Sequence, residues 1–282
     1  MTGRRHSVTF AIALAALAGA IPATAGASTL ISDNWSGYVA RTSATVKAFR
    51  SVSGAWTVPT ATCATGRTAY SAVWVGLGGY RTNATGLEQI GTEADCSSAG
   101  AAHYSAWLEL LPAASRSIHM AVRPGDEIKA SVTVIRRDAT LRVADVTTGA
   151  SYSRTVRLAS KDVSSADWIV EAPSTCSTSG SCRTLSLADF GTVTFTSATA
   201  TAAGVTRPLQ SGTWPTTELL LQQSGAGAVT GSRGALERIL VSATPSQTFT
   251  SLGGFSVTWA QAATQEEAPS GPTLPGFGGG PP

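Results

Sequence analysis

Apolar and polar positions alternate with a period of two along most of this chain, in short runs closed by Gly, Pro or Asp. "VKAFRSVSGAWTVP" ends at Pro59, and "TAYSAVWVGLGG" ends in Gly76, Gly78 and Gly79. "GLEQIGTEA", "HYSAWLELLP", "SIHMAV", "DEIKASVTVI" and "LRVADV" follow, then "YSRTVRL", "DWIVEAP", "GTVTFTSATA" and "GFSVTWA". "RPGDE" at 123–127 and "TTGA" at 147–150 supply turn chemistry between runs. Such runs predict strands. No long stretch keeps helical spacing, "TTELLLQQ" is the one ambiguous piece, and no internal repeat is visible. The expected architecture is all-β: two antiparallel sheets packed face to face as a β-sandwich.

One run raises a question. In "DWIVEA" the period of two puts Trp168, Val170 and Ala172 on one face and Asp167, Ile169 and Glu171 on the other. The first face suits the layer between sheets. The second ends in a carboxylate and is expected to look into a groove or water. Alternation explains how Glu171 is tolerated without saying what it does.

The ends of the chain differ from its middle. Residues 1–27 read as a secretory signal peptide: Arg4, Arg5 and His6, an apolar stretch from Val8 to about Ile21, then "PATAGAS" with small residues suited to cleavage. The apolar stretch is short for a membrane span. Arg4-Arg5 fits a twin-arginine signal only weakly. Residues 263–282 are rich in Gly and Pro and are expected to form a loose tail. One domain is expected over 28–262, exported and monomeric, with no membrane attachment once the leader is removed.

Charge adds little. The formal net charge is +3, and removing Arg4 and Arg5 with the leader brings it close to neutral. No run of Lys or Arg marks a nucleic-acid patch. Four cysteines, Cys63, Cys96, Cys176 and Cys182, allow three disulfide pairings in an exported protein. Cys63 with Cys96 and Cys176 with Cys182 are favoured. Without a C-x-x-C, and with His103 and His119 as the only histidines after the leader, no metal site or other cofactor is expected. "NWS" at 34 and "NAT" at 83 match glycosylation sequons.

Familiar hydrolytic patterns are missing. There is no G-x-S-x-G elbow, no H-E-x-x-H, no D-T-G or D-S-G triplet and no P-loop lysine. "GLGGYR" at 76–81 lacks the full dinucleotide fingerprint and reads as a turn. What remains are carboxylates and amides. Peptide hydrolysis needs a base for water, donors for the developing oxyanion and an acid for the leaving nitrogen. One glutamate can serve as base and then acid, and a glutamine amide donates and accepts without titrating.

"DNWSGYV" at 33–39, "WVGLGG" at 74–79, "LEQIGTEADC" at 87–96, "YSAWLELLP" at 104–112 and "DWIVEAPS" at 167–174 occur in that order. The set resembles the glutamic peptidases, the eqolisins, over roughly residues 33–260. The resemblance implies two long, bent antiparallel sheets of the jelly-roll or concanavalin type. It implies a secreted endopeptidase acting on polypeptides in acid, without metal or covalent intermediate. It places the catalytic glutamine at Gln89 and the glutamate at Glu171. Trp35, Trp74, Trp107 and Glu109 fall in matching segments and are expected to line the substrate cleft. Glu88, one step from Gln89, points to the opposite face. Relatives often carry an acid where this chain has Gly78. Little room separates the leader from "DNWSGYV", so control by a large removable prosegment is not expected.

An unperturbed glutamate titrates near pH 4.3, leaving about a third ionised at pH 4. A groove that desolvated Glu171 would move it toward neutrality. The rival reading is a secreted sandwich that binds carbohydrate or peptide without cleaving it, using tryptophans as platforms. A plain core role for those tryptophans is equally open.

Overall fold

The structure is a computed structural model, described here for residues 28–265 except 82, 83, 85, 178–181, 231–235 and 248. The expected leader and nearly all of the expected tail lie outside the described residues, as does the sequon asparagine Asn83.

Among the described residues, eighteen strands follow in chain order. They are β1 (Ser28–Ser32), β2 (Trp35–Arg41), β3 (Phe49–Thr57), β4 (Ala69–Gly78), β5 (Leu87–Cys96), β6 (Ala102–Leu110), β7 (Arg116–Ile118), β8 (Glu127–Ile135) and β9 (Asp138–Asp145). Then come β10 (Ser151–Arg157), β11 (Ser165–Glu171), β12 (Ser174–Cys176), β13 (Cys182–Thr184), β14 (Thr192–Ala202), β15 (Val205–Pro208), β16 (Thr216–Thr230), β17 (Leu236–Pro245) and β18 (Gly253–Gln265). The ambiguous "TTELLLQQ" is strand, the start of β16. "SIHMAV" is strand only at its start: after Ile118 the chain turns, with Met120 N–H donating to Ile118 O, and leaves the sheet.

The all-β expectation holds, with one addition. The two layers are joined by hydrogen bonds into one bent sheet, in the order β10-β9-β8-β3-β14-β18-β17-β16-β2-β11-β4-β5-β6-β7, with β1 and β15 attached to β16 and β14. The pairings are antiparallel except that of β1 with β16. β12 and β13 form a separate small hairpin.

The layers meet through the apolar faces the alternation defines. Trp168, Val170 and Ala172 are buried in the main core with Trp56, Val75 and Leu77. Burying side chains of this size contributes roughly 1.5–3 kcal/mol each. Polar tips are satisfied across the gap: Trp168 Nε1 donates to Ser53 O at 2.8 Å, and Trp56 Nε1 to Thr92 Oγ1 at 3.1 Å. β2 lies close against β11 because position 37 is glycine. Gly37 has φ +140°, and a Cβ there would stand 2.1 Å from Trp168 O.

The other face of β11 is not open to water. Ile169 is fully buried in a second apolar cluster with Val39, Ala72, Trp74, Leu87, Trp107 and Leu219. Both favoured disulfides are formed, Cys63–Cys96 and Cys176–Cys182.

Candidate active site

Five neighbouring strands, β2, β11, β4, β5 and β6, carry all six residues singled out from the sequence on this second face. Glu171 ends β11, opposite Trp35 on β2 and Ala72 on β4. Gln89 lies on β5, opposite Gly76 on β4 and Glu109 on β6. Trp74 and Trp107 flank Gly91.

The Glu171 carboxylate is held from two sides. Trp74 Nε1 donates to Oε2 at 2.7 Å, and Asn34 Nδ2 donates to Oε1 at 3.3 Å. Burial pushes the carboxyl up to about 7; Trp74, Trp35 and Asn34 counter this by hydrogen bonding, while the Glu109 charge adds to it. Glu171 is half-buried, and the desolvation of its carboxyl is the condition the sequence sets for a shift toward neutrality.

Gln89 is buried, 4% exposed. Its Nε2 donates to Glu109 Oε2 at 2.6 Å. Its Oε1 is buried and has no partner among the described residues. Burial raises the Glu109 carboxyl above its ordinary value, with hydrogen bonds from Gln89 and the Ser115 backbone opposing. No hydrogen bond joins Gln89 directly to Glu171. The Trp74 indole reaches toward both strands. Its Nε1 reaches Glu171, and its Cζ3 lies 2.9 Å from where a Cβ on Gly76, the residue opposite Gln89, would stand.

Trp35 packs edge-on against Trp74, with ring centroids 5.0 Å apart. Trp74 is fully buried and Trp107 is 6% exposed, while Trp35 and Glu109 are half-buried. Trp107 Nε1 is buried without a partner among the described residues. The tryptophans are thus mostly the floor of the site and not free-standing platforms.

Glu88 takes the opposite face, as expected. It is 1% exposed, and burial with the nearby Asp162 charge pushes it up to about 8. Asn34 stood out in the sequence only as a glycosylation sequon, not as a residue of the site. Its bond to Glu171 spans 137 positions, and the only available signal was its place in "DNWSGYV". Among the described residues, no group of three or more His, Cys, Asp or Glu side chains is arranged to hold a metal ion.

The fold is the β-sandwich of the glutamic peptidases. The chain belongs to the Peptidase A4 family, whose profile matches residues 33–232. It is a glutamic endopeptidase by class, and polypeptides are its substrates. Its fold is similar to that of scytalido-glutamic peptidase, solved with a peptide-based transition state analog (TM-score 0.61, 23% identity, 81% of this chain and 98% of that one). It is similar also to SCP-B, an eqolisin solved with the tripeptide Ala-Ile-His (TM-score 0.59, 22% identity, 81% and 98%). Aspergilloglutamic peptidase from Aspergillus niger matches at 26% identity with a TM-score of 0.50, over 68% of this chain and 99% of that one. Comparison with curated protein sequences gave no match.

Proposed function

We propose that this chain is a secreted endopeptidase in which Glu171 and Gln89 act on one water molecule. The observation that carries the reading is a carboxylate and an amide on one buried face: Glu171 held by the Trp74 N–H, and Gln89 with a buried, unpartnered Oε1.

Glu171 takes a proton from the water as its oxygen attacks the scissile carbonyl carbon. Gln89 Oε1 accepts the water's other hydrogen. Its second Nε2–H, the one not given to Glu109, donates to the oxyanion as the carbonyl opens. Glu171 then returns its proton to the leaving nitrogen and the C–N bond breaks. Trp35, Trp74 and Trp107 form the floor under the extended substrate.

The working range follows from Glu171. With the carboxyl at about 7, only on the order of one part in a thousand is ionised at pH 4, and the base form grows about tenfold per pH unit toward neutrality. The acid range expected for an ordinary glutamate therefore extends upward. Export is supported by the two disulfides, which suit an oxidising compartment. The binding-only alternative is left with the half-buried Trp35 as a platform, since Trp74 and Trp107 are buried.

The test is digestion of denatured casein from pH 3 to 8 by wild type, Glu171→Gln and Gln89→Ala, with circular dichroism to verify folding. Folded but inactive variants are expected. A folded Glu171→Gln that cleaves at the wild-type rate would overturn the reading.

A further inference from the structure

The geometry assigns Glu109 to the dyad as a positioning residue, holding the Gln89 amide in the one orientation that leaves Oε1 and a second N–H free for the reaction. This rests on the proposed roles of Gln89 and Glu171. It departs from the expectation that Glu109 grips the substrate.

A glutamine amide can lie either way round, with nitrogen and oxygen exchanged, and the neighbours decide which. Gln89 and Glu109 stand directly opposite on β5 and β6, where side chains on one face meet. Gln89 turns its NH₂ group to Glu109, and once that raised carboxyl is ionised it has no hydrogen to give, so the reverse orientation is then excluded. The 2.6 Å bond from Nε2 to Glu109 Oε2 is of the charge-assisted kind. With that N–H engaged, Oε1 is turned away from every protein donor described. Were the amide reversed, two acceptors would face each other, and the donor needed for the oxyanion would be misplaced.

Glu109 also acts on Glu171, whose carboxyl its charge raises. β4, β5, β6 and β11 contain no Lys or Arg, and on β2 the single cation, Arg41, stands at the far end from Trp35. On β7, Arg116 pairs with Leu108, whose period-two position puts it on the opposite face from Glu109. Of the other acids on the Glu109 face, Glu93 is bonded to Ser105 and Asp167 to Ser165. Asp95, further along β5, is raised by burial and by Glu93 and lowered by His103. One carboxyl thus orients the amide and adds to the basicity that burial gives its partner.

Steady-state kinetics on a fluorogenic peptide, for Glu109→Gln and Glu109→Ala across pH, test this. Glu109→Gln keeps an acceptor but removes the charge, and Glu109→Ala removes both. The expected losses in kcat are about tenfold and about a hundredfold, the scale of a hydrogen bond to a charged group, with KM within about twofold. In both, the rising limb of kcat/KM should move to lower pH, because a like charge is gone. A large rise in KM at unchanged kcat, or a limb that stays in place, would overturn the assignment in favour of a substrate contact. If Glu109→Ala does not fold, Glu109→Gln carries the test alone. Glu171→Gln run in parallel separates the two readings. Its full activity would remove the dyad and Glu109 with it. Its inactivity beside a wild-type Glu109→Gln profile would remove Glu109 only.

Discussion

Trp74 donates its indole N–H to the Glu171 carboxylate at 2.7 Å, from the adjacent strand and on the same buried face. This bond stabilises the ionised form of a group that burial otherwise drives toward neutrality. Trp74→Phe keeps most of the ring and removes the donor. Its Glu171 carboxyl should therefore rise further, moving the rising limb of kcat/KM to higher pH. A hydrogen bond to a charged group contributes about 1.5–3 kcal/mol, so activity at pH 6 should fall about ten- to a hundredfold. A pH–rate profile of the folded variant checks this.

Stability should depend on pH in the direction opposite to that of most proteins with salt-bridged carboxylates. Glu88 moves from an ordinary 4.5 to about 8 on folding, mainly through burial and the Asp162 charge, with Lys161 opposing. Between those values the native protein keeps a proton that the unfolded chain has released, so rising pH favours unfolding. Glu171, at about 7, and Asp95, at about 6, act in the same sense. Thermal unfolding should show Tm falling from pH 5 to pH 8. Glu88→Gln should flatten that slope and raise Tm at pH 8 relative to wild type.

Gly91 is where Trp74 and Trp107 gain their room. A Cβ there would stand 2.1 Å from Val73 O and 2.7 Å from Trp74 Cβ. Gly91→Ala must push β4 away from β5. A loss of at least about 1–3 kcal/mol is expected from overpacking alone, with activity falling as Trp74 shifts from Glu171. Denaturant unfolding measures the first and peptide cleavage the second.

The two disulfides should differ in weight. Cys63–Cys96 joins positions 33 apart, and Cys176–Cys182 positions 6 apart. Loop-closure entropy gives about 4 kcal/mol for the first and about 2 for the second. Paired Cys→Ala replacements followed by guanidinium unfolding should reproduce that order.

Much of this was legible because the sheet obeys a period of two. Alternation alone assigned Trp168, Val170 and Ala172 to the core and sent Glu88 and Gln89 to opposite faces, and the structure agrees. Alternation could not say what covers the far side of β11. That depends on which strands become its neighbours, and β2 and β4 bring Val39, Ala72 and Trp74 to bury Ile169. The same long-range pairing hid Asn34 and the Gln89–Glu109 bond. The one through-going sheet was equally invisible, since each strand run looks the same whether its layer ends or continues into β16 and β17.

The most direct test is a complex structure with a peptide isostere carrying a tetrahedral, hydroxyl-bearing carbon at the scissile position. The hydroxyl should lie within hydrogen-bond reach, about 2.6–3.2 Å, of both the Glu171 carboxylate and the Gln89 amide. An isostere bound with its hydroxyl beyond reach of either side chain would contradict the account.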